Sequence, residues 1–312
     1  MYIEQGYKGD IGLWKYFVIP VGFIGFMAIN YVLTINSDID VEVAMAKMIE
    51  QFGSNLVLIM LLLPLVAGFF IVLGWTFLIH RQSITSLTTS RNKIDWSRIL
   101  FAFFLWGAVT VFFTLLDVYA SPGDYEWNFN LSKFIPMAII AILLIPLQTS
   151  FEEYLFRGHM MQGLGILAKN RWVPLIVTSV LFGLMHIANP EVEKLGYSLM
   201  VYYIGTGFFL GILTLMDDGL ELALGFHAAN NLITALLVTA DWTAFQTDSI
   251  YRDISEPTLG LDAYVPVFVV FPILLFIFSK KYKWSNWKDK LFGSVLTEKE
   301  FTVANEAGSS TV

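Results

Sequence analysis

Residues 55–79 read NLVLIMLLLPLVAGFFIVLGWTFLI, a stretch with no charged side chain. About 20 apolar residues make a helix long enough to cross about 30 Å of hydrocarbon. A spanning β-barrel would instead alternate apolar and polar residues strand by strand. The rest of the 312-residue chain repeats this pattern: 56% of residues are apolar, 14% are charged and the mean hydropathy is +0.64. Soluble domains carry roughly 25% charged residues. The sequence therefore predicts an all-α, polytopic membrane bundle of about eight transmembrane helices and excludes an ordinary cytosolic enzyme.

The eight expected spans are residues 13–35, 55–79, 98–119, 134–160, 172–189, 196–216, 219–240 and 263–279. The first lacks a small-x-small cleavage site, which fits a retained span. The fourth is too long for a simple crossing and contains Pro146, so it is expected to be kinked or tilted and to project beyond the bilayer. The expected organisation is N-terminal helices 1–3 over residues 1–133, a core of helices 4–7 over 134–240, a loop and helix 8 over 241–282, and a partly disordered cytoplasmic tail over 283–312. Of the 19 Lys and Arg, all but Lys47, Lys133, Lys194 and Arg252 fall on one side of this scheme. Basic segments stay cytoplasmic, so both termini are expected in the cytoplasm of a multi-pass cell (inner) membrane protein. The tail KKYKWSNWKDK mixes lysines and tryptophans in the manner of an interfacial anchor.

Net charge is −7, and no basic stretch is interleaved with aromatics, so nucleic acid is not expected as a partner. The lipid bilayer, a membrane protein or peptide substrate, and a membrane-complex partner are. There is no cysteine, which removes thiolate chemistry and Cys-ligated metals.

Ionisable side chains inside a membrane are costly and call for a reason. Span four holds Glu152, Glu153 and Arg157, span five His186, and span seven His227 with Asn230 and Asn231. Glu153 precedes Arg157 by four residues, the spacing of a helical ion pair. Glu152 is turned about 100° away and is left for another partner. His227 and Asn231 also share a helix face. His159 follows the charged segment, His80 falls in a basic loop where solvation accounts for it, and Asp117 is read as interfacial. Gly207 and Gly211 form a Gly-x-x-x-Gly pair suited to close helix packing.

Chemically, a carboxylate in a poorly solvated cavity can serve as a base toward water, and a nearby imidazole can hold the water or pass its proton on. Fixed donors such as an imidazole and an amide can stabilise an oxyanion. The same groups, Glu152, His186 and His227, could alternatively ligate Zn²⁺ with a position left for water. The chain lacks His-Glu-x-x-His, and the metal-free arrangement, with no cofactor, is the reading favoured.

Three segments, EEYLFR from Glu152, FGLMH ending at His186 and HAANN from His227, resemble the Glu-Glu-x-x-x-Arg, Phe-x-x-x-His and His-x-x-x-Asn/Asp signatures of the CAAX protease and bacteriocin-processing family of intramembrane proteases, the type II CAAX prenyl endopeptidase-like group. The resemblance covers roughly residues 134–240. It implies an eight-helix core with a cavity open to cytoplasm and membrane, Glu152 and His186 as the water-activating pair, and His227 and Asn231 as oxyanion stabilisers. The expected function is therefore an intramembrane endopeptidase, with Glu153 and Arg157 in support. The competing expectations are a non-proteolytic immunity or scaffold protein within a complex, and a proton- or ion-coupled transporter. Against the latter, the polar cluster is confined to residues 152–231 instead of recurring in two halves.

Overall fold

Helices occupy all eight expected places in the computed structural model, which describes residues 1–12, 14–36 and 40–309. The first five helices are α1 (Lys15–Ile35), α2 (Val41–Phe52), α3 (Ser54–Leu78), α4 (Ile84–Thr88) and α5 (Trp96–Ala120). A short strand β1 (Tyr125–Trp127) leads to α6 (Leu131–Glu153), a π-helical stretch (Tyr154–Met160) and α7 (Met161–Ala168). There follow α8 (Trp172–Leu184), α9 (Pro190–Leu195), α10 (Met200–Asp217), α11 (Glu221–Leu237), β2 (Val238–Thr239) and β3 (Tyr251–Asp253). The chain ends with α12 (Phe271–Tyr282), α13 (Trp287–Phe292) and α14 (Glu298–Ser309).

Lys15–Ile35, Ser54–Leu78, Trp96–Ala120, Leu131–Ala168 and Tyr197–Asp217 are each long and apolar enough to cross a membrane. The helices at the other three expected places are shorter: α8 has 13 residues, α11 has 17, and α12 has 12 extended by a π turn at Pro266–Val270. The outward faces remain apolar, with Val21, Phe26, Leu33, Phe77, Phe104 and Phe112 all exposed. The protein is an all-α polytopic membrane protein.

The core forms where small residues let backbones approach. Gly225 on α11 is so close to α5 that a Cβ there would lie 2.1 Å from the Ile99 carbonyl oxygen. Gly207 on α10 meets Ser179 of α8 in the same way, at 2.4 Å. Without a hydrophobic drive between helices in lipid, this close packing is a main source of association. Accordingly α11 is buried along most of its length, whereas α1 buries only Tyr16 and Pro20.

The 38 residues from Leu131 to Ala168 form one continuous helical rod. At about 1.5 Å per residue it is about 57 Å long, well beyond the hydrocarbon. Leu220, in the turn after α10, comes within 3.6 Å of a Cβ built on Gly158. That turn is thus level with the π stretch, and α7 extends past it. The N-terminal segment Ile3–Lys8 folds over α7, where Ile3 and Gly165 are in contact.

Loops gather at two ends. At one, Tyr2 Oη donates to the Leu87 carbonyl (2.6 Å), Arg171 pairs with Glu4 (2.7 Å) and Tyr7 Oη donates to the Leu296 carbonyl (2.9 Å). The N-terminal and C-terminal segments therefore share an end. At the other, β3 pairs antiparallel with β1 (Tyr125 opposite Asp253) and parallel with β2. Ser54 Oγ donates to Asp248 (2.7 Å), and Lys194 meets Glu42 (2.5 Å) at the same end.

The Asp40 carboxylate caps the Glu42 and Val43 amides at the start of α2. Two sequence expectations need revision or restriction. The tail is helical over Glu298–Ser309, where its small polar composition suggested disorder; Thr297 and Glu300 cap each other's amides at its start. The first span was expected to begin at Leu13, which lies outside the described residues, as do 37–39 and 310–312.

Candidate active site

The π stretch opens directly after Glu153, at the point where α6 delivers its two carboxylates to the protein interior. Such wide turns are frequent at functional sites. Glu153 Oε1 accepts from Arg157 Nη1 at 3.0 Å and lies 2.8 Å from His227 Nδ1. All three side chains are buried. Arg157 Nη2 donates to the Gly207 carbonyl (3.0 Å), and the guanidinium sits 4.1 Å from the centre of the Phe182 ring. The arginine is thus neutralised by Glu153, held by a carbonyl of α10 and covered by an aromatic face.

Glu152 has different company. Its Oε1 accepts from Gln148 Nε2 at 2.5 Å, while Oε2 has no hydrogen-bond partner and lies 3.6 Å from His227 Nε2, longer than a hydrogen bond. Behind it runs a chain of donors with one sense. Trp106 Nε1 donates to Asn230 Oδ1 (3.1 Å), Asn230 Nδ2 to Asn231 Oδ1 (3.1 Å), and Asn231 Nδ2 to Gln148 Oε1 (3.3 Å). Every donor points towards Glu152, so the dipoles reinforce one another and end on its carboxylate.

His186 lies just beyond the last turn of α8. Its Nδ1 is 2.9 Å from the Phe182 carbonyl oxygen, and its ring stacks on Tyr203 at 4.3 Å with 15° between planes. It makes no direct hydrogen bond to Glu152, but Glu152, His227 and Arg157 all act on it electrostatically. Phe182 joins the parts: its ring meets His186 (5.1 Å), His227 (5.7 Å) and Arg157.

The structure therefore brings Glu152 and Asn231 into one hydrogen-bonded set through Gln148, and Glu153, Arg157 and His227 into another; the two face each other at 3.6 Å between Glu152 and His227, and His186 joins them through aromatic contacts. It corrects the sequence reading of His80. That side chain is 1% exposed, not solvated, because α1 and the π stretch pack against it. It packs against His159 (5.1 Å) and Tyr16 (4.2 Å), in a cluster apart from the carboxylates. Asp117 accepts from Tyr125 Oη (2.5 Å) at the opposite end. Gly207 does more than permit packing, since its carbonyl anchors Arg157. Sequence reasoning missed Gln148, Trp106, Phe182 and Tyr203 as contributors. Phe182, the first residue of FGLMH, and Gln148, one turn before Glu152, carried a local signal.

Glu152, His186 and His227 do not fit a metal cage as they stand. No group of three or more His, Asp or Glu side chains among the described residues could hold an ion. The Nδ1 atoms of both histidines are engaged, by Glu153 and by the Phe182 carbonyl, which leaves Nε2 as the free ring nitrogen of each.

Two glutamates, two histidines and an asparagine are gathered among apolar helices into a polar site within a polytopic membrane protein. Residues 130–233, which contain the whole site except Trp106, match the family described as type II CAAX prenyl endopeptidase Rce1-like. An uncharacterized protein of Bacillus subtilis (strain 168), YyaK, is 28% identical over 246 residues, covering 74% of this chain and 80% of its own. An uncharacterized protein of Mycoplasma capricolum is 28% identical over 111 residues, 36% of this chain and 31% of its own. No solved structure matches.

Proposed function

We propose that the protein is an intramembrane endopeptidase that hydrolyses a peptide bond of a membrane-associated protein or peptide by water activated at Glu152. The observation that carries this reading is the unequal use of the two glutamates. Glu153 is occupied by Arg157 and His227, whereas Glu152 keeps Oε2 without a protein partner. In this reading Glu152 Oε2 takes a proton from water, and the hydroxide attacks the scissile carbonyl carbon. The Asn231 amide, and His227 Nε2 when the ring carries both protons, donate to the developing oxyanion. His186 orients the water and helps deliver the proton to the leaving amine as the C–N bond breaks.

No metal is required by this scheme. The end that carries both termini is proposed to face the cytoplasm of the cell membrane, because the basic side chains gather there. The match to the Rce1-like family makes a CAAX-type peptide the first substrate class to try. The test compares membrane peptides from cells with the wild-type chain and with Glu152→Gln. A cleavage product present only with the wild type supports the proposal. Identical peptide sets would favour a non-proteolytic role within a membrane complex.

A further inference from the structure

The motif-bearing core does not account for a cleft at the far end of α12. It has a volume of about 730 Å³ and is lined below by Pro272, Leu275 and Phe276 and above by Ser279, Lys280, Lys283, Trp284 and Trp287. We propose that this cleft binds one anionic phospholipid, with the phosphate at Lys280, Lys283 and Ser279 and an acyl chain along the apolar wall.

Charge supplies the first argument. Four lysines surround this helix end, and they are used differently. Lys281 turns to the other side and lies 4.1 Å over the Phe101 ring, while Lys290 pairs with Asp218. Among the described residues, Lys280 and Lys283 have no carboxylate within ion-pairing distance, although the chain carries a net charge of −7. Lys280 Nζ instead lies 5.4 Å over the Phe276 ring, which holds the ammonium above the cleft. Set without a carboxylate partner beside an apolar cleft, these two cations are open to an external anion.

Shape supplies the second. The cleft changes from apolar to basic along α12, as a lipid changes from chain to head group, and Phe276 and Ile273 are exposed beside it. A free phosphate would use only the upper rim and leave the apolar wall without a ligand. Trp284 is fixed in place, because its Nε1 donates to Asp217 Oδ1 at 3.0 Å and its ring meets Trp287 at 5.8 Å. Indoles in such positions sit at head-group level, and basic pockets beside transmembrane helices bind anionic head groups.

The test is native mass spectrometry of the full chain in detergent, titrated separately with phosphatidylglycerol and phosphatidylcholine, each with and without millimolar inorganic phosphate. The expected result is one phosphatidylglycerol bound roughly ten- to thirtyfold more tightly than phosphatidylcholine, the contribution of two lysines. The preference should vanish in Lys280→Ala/Lys283→Ala and be unaffected by phosphate. Equal affinity for the two lipids, or a folded double variant that keeps the preference, overturns the proposal. Displacement by phosphate also overturns it, in favour of a free-anion site. If the double variant fails to fold, Lys283→Glu alone carries the test: it should lower the preference at least as far, and full retention overturns the proposal.

Discussion

His227 Nδ1 lies 2.8 Å from Glu153 Oε1, the same oxygen that takes Arg157 Nη1 at 3.0 Å. One carboxylate oxygen thus fixes both the arginine of the first motif and the histidine of the third. With Glu153 ionised, the bond requires a proton on Nδ1, and this sets how Nε2 is presented to Glu152. The two adjacent glutamates therefore divide the work, one fixing geometry and the other left open.

That division predicts opposite phenotypes. Arg157→Ala leaves Glu153 as a buried charge without its counter-ion and should destabilise the protein by about 3 to 5 kcal/mol. Glu152→Gln keeps a hydrogen-bonding group beside Gln148, so it should leave the unfolding temperature in detergent nearly unchanged while abolishing cleavage. Equal losses of folded protein in the two variants would remove the distinction.

Gly207 serves two purposes, and packing makes it intolerant. A Cβ there would sit 2.4 Å from the Ser179 carbonyl oxygen, so α8 and α10 would have to separate. Gly207→Ala should cost about 1 to 3 kcal/mol and also disturb Arg157 by moving the carbonyl it donates to. At Gly211 the first obstacle is Leu175 Cδ1, the end of a flexible side chain, at 2.6 Å. Gly211→Ala should cost less, and comparison of thermal unfolding for the two variants checks the order.

Much of this was legible in sequence, and the limits are instructive. Apolar runs located the membrane helices, and four-residue spacings put Glu153 with Arg157. What bound Glu152 to Asn231 was not legible. Gln148 comes from α6 and Trp106 from α5, and only tertiary packing aligns their amide and indole dipoles with Asn230 and Asn231. His80 was misread for a related reason. Beside Arg81 it looks like a loop residue, and its burial comes from Tyr16 of α1 and His159 of the π stretch, far away in sequence. The short strands were invisible because two or three residues carry no period.

Orientation can be tested with introduced cysteines, since the chain has none. Asn92 and Lys288 are exposed at the end that carries both termini, and Asp124 is exposed at the other. If the basic end is cytoplasmic, a membrane-impermeant thiol reagent applied to intact cells should label Asp124→Cys but not Asn92→Cys or Lys288→Cys. Reversed labelling would overturn the orientation.

His80 gives a pH dependence. Burial pushes its imidazole below the ordinary histidine value, with the Lys15 charge acting in the same direction and Asp10 opposing it. The unfolded chain takes up a proton near pH 6.5, while the folded chain resists it. Stability is therefore fully present above about pH 6.5 and declines as pH falls from there through the lower folded value. His80→Asn should flatten this part of the stability profile relative to wild type, measured by unfolding in detergent at successive pH values. An unchanged slope would show that His80 does not contribute to it.

The last prediction concerns metal and follows from donor geometry. A tetrahedral zinc ion with ligands at about 2.0 to 2.2 Å places neighbouring donor atoms about 3.3 Å apart. Glu152 Oε2 and His227 Nε2, at 3.6 Å, come near that spacing and could by themselves be read as half of a zinc site. A site also needs a third protein ligand, and none converges on this pair among the described residues. His186 is fixed through Nδ1 by the Phe182 carbonyl and by stacking on Tyr203. The same 3.6 Å gap suits a water that gives its proton to the carboxylate, since hydrogen bonds tolerate distances of about 2.6 to 3.2 Å on either side. Purified protein should therefore contain far less than one zinc per chain by elemental analysis, and cleavage of an identified substrate should survive prolonged chelation. One zinc per chain, lost together with activity in His227→Ala, would make His227 a ligand and Glu152 its partner on the metal.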